Sequence, residues 1–174
     1  NRYISKQGKI VWLSWSATSA PEQGIVYAVA KNITEEKNLR ELYQHTGRLA
    51  KIGSWEIDLV DESVFWSNQV HQIHETDLNS YVPSVEKAIN FYRPDFREKV
   101  RDSIKKCITS GQAFDFEAVV VTTNNEERWI RVIGNGQFID GECKSIFGSL
   151  QNINDRKEAE LRLQSLANNL PGVV

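Results

Sequence analysis

His71 and His74 stand three positions apart and Glu75 follows directly, a spacing that on a helix brings two imidazoles and a carboxylate to one face. The two imidazoles could start a metal site, but a third and fourth ligand are needed and nothing nearby in sequence nominates a full set. Polar residues on a short helix are the plainer reading, and no metal is assigned. Cys107 falls on an apolar stripe, where a free cysteine packs as a small hydrophobe. Ser67 has no sequence-local base. There is no G-x-S-x-G or P-loop run, and the carboxylates are scattered, with Glu126 and Glu127 in an expected turn. No catalytic residue is assigned, and the fragment is read as no enzyme.

The elements that hold these residues are legible from pattern. Val11, Leu13, Trp15 and Ala17 alternate with polar or aromatic neighbours, and Pro21 to Gly24 supplies a turn, so residues 1–32 read as three strands. Thr34, with Glu35 and Glu36 behind it, opens a helix bearing Leu39, Leu42 and Leu49 at a spacing close to a coiled-coil seam. A hairpin over 53–60 and 63–67 precedes short helices at 68–79 and 83–92. Pro94 opens a longer helix that Gly111 closes, with Phe96, Val100, Ile104, Cys107 and Ile108 on one stripe. Strands follow at about 114–123, 127–139 and 143–152. A last helix carries Leu163, Leu166 and Leu170. The fold class is α+β: a five-stranded antiparallel sheet with helices on one face, flanked by linker helices.

Composition excludes some functions. The chain has 174 residues, 25% charged, and a net charge of −2, so it lacks the basic footprint of a nucleic-acid binder. No apolar run approaches the roughly 20 residues of a membrane span, so no membrane contact is expected. Two cysteines make no disulfide framework, and a cytoplasmic location is the default.

One pattern occurs twice. Trp12-Leu13-Ser14-Trp15, Ile25 to Ala30 and Asn32-Ile33-Thr34-Glu35-Glu36-Lys37 parallel Trp129-Ile130-Arg131-Val132, Ser145 to Leu150 and Asn152-Ile153-Asn154-Asp155-Arg156-Lys157. A period this long fits duplicated domains rather than a solenoid. The strand–turn–strand–hinge tail resembles PAS sensory domains of bacterial and archaeal signalling proteins. Ile52-Gly53-Ser54-Trp55-Glu56-Ile57-Asp58, Phe65-Trp66-Ser67-Asn68 and Gly111 to Glu117 resemble the subclass common in histidine kinases. Leu166 to Val174 resembles the start of a further unit. The hinge aspartate of the family is asparagine at both Asn32 and Asn152.

The resemblance implies four segments: the closing strands of a first PAS domain at 1–32, a linker helix at 33–50, a complete domain at 51–153, and a linker plus the start of another domain at 154–174. It implies a sensory module, foremost of a sensor histidine kinase, with a ligand-free spacer or a cyclic-dinucleotide enzyme's PAS region as alternatives. A small-molecule pocket would be lined by Ile73, Ile89, Phe91, Phe96, Ile104, Phe116, Ile130, Val132, Phe147 and Ser149, unless these side chains fill the core themselves. Asn32, Thr34, Asn152 and Asn154 would form the hinges, with Asn154 the N-cap of the last helix. Leu39, Leu42 and Leu49 would form a homodimer seam. No cofactor is expected. The long helix lacks a histidine for haem, and Asn90-Phe91-Tyr92-Arg93-Pro94 lacks the cysteine that covalent flavin chemistry requires.

Overall fold

The computed structural model describes residues 1–169 and resolves two compact units, divided between Thr46 and Gly47. In the first, β1 (Arg2–Ile4), β2 (Ile10–Ala20) and β3 (Ile25–Asn32) form an antiparallel sheet in the order β1-β2-β3. Gly24, at φ 64, donates its N–H to the Pro21 carbonyl and closes the turn between β2 and β3. None of residues 1–32 is buried. Helix α1 (Thr34–Leu49) begins directly after β3.

The second unit holds a five-stranded antiparallel sheet made of β4 (Ile52–Asp58), β5 (Ser63–Trp66), β6 (Phe114–Val121), β7 (Glu127–Ile139) and β8 (Glu142–Asn152), in the order β5-β4-β8-β7-β6. Between β5 and β6 lie α2 (Asn68–His74), α3 (Val85–Phe91) and α4 (Pro94–Ser110); α5 (Asn154–Asn169) follows β8. This is the expected α+β architecture. Period-two alternation sends Trp55 and Ile57 of β4, Ile130 and Val132 of β7, and Ile146 and Leu150 of β8 to the buried face. Val70, Ile73, Ile89, Val100 and Cys107 of the helices close over them.

Two helices are shorter than the pattern suggested. Helix α2 ends at His74 because Glu75 turns left-handed at φ 60, its N–H reaching back to Gln72 and His71. The Asp77 carboxylate then accepts the N–H groups of Asn79 and Ser80 and the Ser80 hydroxyl, which fixes a turn where helix was expected. Helix α3 starts at Val85, since Ser84 caps it through the Lys87 N–H and leaves Pro83 outside. Pro94 and Gly111 begin and end α4, the glycine at φ 69 with its N–H on the Cys107 carbonyl. The further domain start lies partly outside the described residues: Leu166 to Asn169 continue α5, and 170–174 are not described.

Candidate functional site

Across the middle of the larger sheet runs one row in register: Trp66, Trp55, Gly148, Gly134, Phe114. The two glycines leave the centre of the sheet without side chains, and the flanking aromatics lean inward over the gap. Trp55 and Phe114 stack there, centroids 6.1 Å apart and planes 12° from parallel. A Cβ on Gly148 would collide with the Ile133 carbonyl oxygen and stand 2.8 Å from the Trp55 ring. One on Gly134 would collide with the Phe114 ring. Glycine is therefore required at 148 by the backbone, whereas a side chain at 134 would have to displace the Phe114 ring.

Above this row, between the sheet and helices α2, α3 and α4, lies a cavity of about 60 Å³. Its lining includes Trp55, Trp66, Val70, His74, Ile89, Tyr92, Ile104, Phe114, Phe116, Val132 and Leu150. That volume holds roughly four waters. The Trp55 indole N–H is buried and has no hydrogen-bond partner among the described residues, an unused donor on a side chain that lines the cavity. Tyr92, which shares the lining, has its phenol pKa raised by burial, so it stays a protonated donor.

His74 forms one wall. Its Nδ1 donates to the Val70 carbonyl at 2.9 Å, leaving Nε2 as the lone-pair nitrogen, and the ring stacks on Trp66 at 4.5 Å. Burial drives its pKa down to about 4, and the charges of His71 and Arg128 add to this, so the imidazole is neutral at physiological pH. Trp66, His71, Tyr81 and Phe91 complete an aromatic cluster around it, with Phe91 edge-on to His74 at 4.7 Å.

His71, His74 and Glu75 do not converge. His71 Nδ1 pairs with the Thr76 hydroxyl at 2.8 Å, and Glu75 pairs with Arg128 and accepts from Asn124 at 2.9 Å. Arg128 also donates to the carbonyls of Gln72 and Ile73 at the end of α2, so these contacts tie α2 to the start of β7.

Of the ten pocket candidates, Ile89, Ile104, Phe116 and Val132 line the cavity. Ile73 and Ile130 are core residues away from it, and Phe91 belongs to the aromatic cluster. Phe96 packs edge-on against Trp129 at 6.2 Å. Phe147 and Ser149 need correction. They occupy the opposite parity of β8, and Phe147 is 46% exposed, because Ile146, Gly148 and Leu150 take the inner face. Trp55, Trp66, His74, Tyr92 and Phe114 were missed. The paired glycines, 14 residues apart on strands joined by a hairpin, were the available signal for two of them.

The junction from sheet to α5 is built by side chains. Asn152 Oδ1 accepts the Asn154 N–H at 3.0 Å, and Asn154 Oδ1 accepts the Trp129 N–H of β7 at 2.7 Å. Asn154 is thus no N-cap. It is the first helical residue, and its side chain bonds a strand. Lys157 sits 5.1 Å over the Trp129 ring and pairs with Glu117 of β6 at 2.6 Å, and Arg156 pairs with the same carboxylate.

Comparison with known families places this arrangement. A family model described as the PAS fold matches residues 63–150, slightly more than half of the chain. The chain belongs to the PAS-fold family. Solved structures agree in fold. A sensory box histidine kinase/response regulator from Burkholderia thailandensis E264 is similar at 22% identity and TM-score 0.60, over 74% of this chain and 96% of that one. The N-terminal domain of a diguanylate cyclase with PAS/PAC sensor from Marinobacter aquaeolei is similar at 18% identity and TM-score 0.56, over 61% and 98%. A PAS domain from Colwellia psychrerythraea is similar at 11% identity and TM-score 0.51, over 66% and 98%. A search of curated proteins finds no match. None of the helices among the described residues is long and apolar enough to cross a membrane.

Proposed function

We propose that this chain is a non-catalytic sensory region of a multidomain signalling protein, in which the content of the PAS cavity biases the packing of α2–α4 on the sheet. The single observation that carries the reading is the Trp55 indole N–H, buried and unpartnered beside the cavity. A buried donor without an acceptor costs about 1–3 kcal/mol, and an acceptor-bearing small molecule would recover part of that. The change reaches α5 through the Asn152–Asn154–Trp129 bonds and the Glu117 pairs. A sensor histidine kinase is the favoured parent, in keeping with the Burkholderia relative, and a diguanylate cyclase is the alternative that the Marinobacter relative supports. Residues 1–32 fit the closing strands of a preceding PAS domain, since no part of that sheet is buried. The two free cysteines favour the cytoplasm.

Assembly belongs to the same proposal. Leu39, Leu42 and Leu49 of α1 are 49%, 62% and 88% exposed, and a parallel homodimer would cover them. Light scattering of 33–174 with and without Leu42→Glu tests this, and a dimer indifferent to the change refutes the seam.

The volume of the cavity favours a second reading, a ligand-free spacer. Pockets for drug-sized ligands run to about 300–1,000 Å³, far above this one. Native mass spectrometry and absorbance of the purified chain separate the two. A retained small molecule lost on Trp55→Phe supports sensing. A bare chain whose melting temperature ignores a panel of small acceptor-bearing molecules supports the spacer.

A further inference from the structure

The β7–β8 hairpin brings together two groups that neither cavity nor hinge uses. A Cβ on Gly136 would stand 2.8 Å from the Phe138 ring, 3.3 Å from the Cys143 sulfur and 3.4 Å from the Cys107 sulfur, so both thiols converge, beside that ring, on the notch that the absent side chain leaves. They arrive from separate elements, Cys107 from the end of α4 and Cys143 from the start of β8. A register slip between Gln137 and Phe138 bends the hairpin at this level. Cys107 is fully buried, whereas Cys143 is half-buried and donates weakly to the Ser145 carbonyl at 3.4 Å. No cluster of three metal-ligating side chains occurs among the described residues, so the chemistry on offer here is that of a dithiol.

We propose that Cys107 and Cys143 are a redox pair that closes an intramolecular disulfide when the chain meets a peroxide. Cys143, the less buried residue of the two, attacks the O–O bond. An S–O bond forms, the O–O bond breaks, one water leaves, and Cys143 becomes a sulfenic acid. The Cys107 sulfur then attacks the oxidised sulfur. The S–S bond forms, the S–O bond breaks, and the second water carries off the Cys107 proton. The two sulfurs lose two electrons and the peroxide gains them. Burial, with a smaller contribution from Cys143, raises the Cys107 pKa and keeps it a thiol, so the first attack on the peroxide falls to Cys143. The bond would pin the end of α4, the helix that supplies Val100 and Ile104 to the cavity wall, to the sheet.

The test treats the 174-residue chain with hydrogen peroxide, then denatures it, alkylates it and weighs it intact. The expected product has lost two hydrogens and takes up no alkyl group, and dithiothreitol restores two alkylatable thiols. In Cys143→Ser, Cys107 should survive the same treatment unoxidised and take one alkyl group. A stable sulfinic acid at Cys143, a disulfide between two chains, two thiols still alkylatable after treatment, or oxidation of Cys107 without Cys143 would each overturn the proposal.

Discussion

The two strand–hinge–helix copies share one set of bonds. Trp12 N–H donates to the Thr34 hydroxyl at 2.8 Å, as Trp129 N–H donates to Asn154 Oδ1 at 2.7 Å. The Thr34 N–H reaches Asn32 Oδ1 at 3.0 Å, and the Asn154 N–H reaches Asn152 Oδ1 at 3.0 Å. The Ile33 and Ile153 N–H groups bond the two tryptophan carbonyls at 2.8 and 2.9 Å. Lys37 lies 4.8 Å over the Trp12 ring, and Lys157 lies 5.1 Å over the Trp129 ring. What differs is the sheet beneath. Where the second copy pairs Gly134 with Gly148 under two stacked aromatics, the first pairs Ala17 with Ala28, both exposed. The junction is therefore a local device that forms on a covered or an uncovered sheet. The cavity instead depends on elements that lie outside the repeat.

The sharpest way to break this comparison is one methyl group in equivalent places. Gly148→Ala should cost more than about 4 kcal/mol or prevent folding of the second unit, because the methyl meets a backbone carbonyl that cannot step aside. Ala28→Gly, at the matching position, should cost no more than about 1 kcal/mol. Denaturation midpoints of the two variants should differ accordingly, and similar midpoints would refute the account of the glycine row.

Next in size is the pH response, which belongs to the second unit alone. His74 binds its proton less readily when folded, with a pKa of about 4 against the ordinary 6.5, so the unfolded chain takes up more protons in between. Its contribution is complete above pH 6.5 and is lost as pH falls toward 4, amounting to about 3 kcal/mol. His71, also lowered chiefly by burial, acts in the same direction. His74→Gln should flatten the decline in urea midpoint across this window.

The shared hinge predicts a smaller and matched effect. Asn154→Ala and Thr34→Ala each strip a strand N–H of its acceptor and should each cost about 1 kcal/mol. Hydrogen exchange should quicken at Trp129 and Trp12 respectively, and protection that persists in both would show that the bonds are dispensable. The smallest effect is expected at Glu117→Gln, which weakens half-exposed pairs that have no counterpart at the first hinge among the described residues, at a cost below about 1 kcal/mol. Faster exchange confined to the first turns of α5 would distinguish this anchor from a global loss.

The sequence carried the fold well, since Pro94, Gly111 and the repeated hinge are local signals with local causes. The helix ends at Glu75 and Ser84 were harder to place, because a left-handed glutamate has no compositional mark and Asp77 could equally have continued a helix. The cavity was half legible. Aliphatic residues on the α4 stripe and on β6 and β7 were placed by period, but β8 offers apolar side chains on both parities. Phe147 outweighed Ile146 in bulk, and only the partner strand decides which face is covered. The hinge asparagines were identified by position, yet the strand N–H that Asn154 accepts lies 25 residues away, which no helix-capping rule reaches.

The two rings over the glycine row have a consequence for what the chamber could become. Trp55 and Phe114 are rooted on strands to either side, and beneath them lies bare backbone with no side chain to collapse inward. They act as removable stoppers. Shortening Phe114 to alanine would leave a ring-shaped vacancy over a flat peptide floor, so the volume of this chamber depends on one side chain at the start of β6.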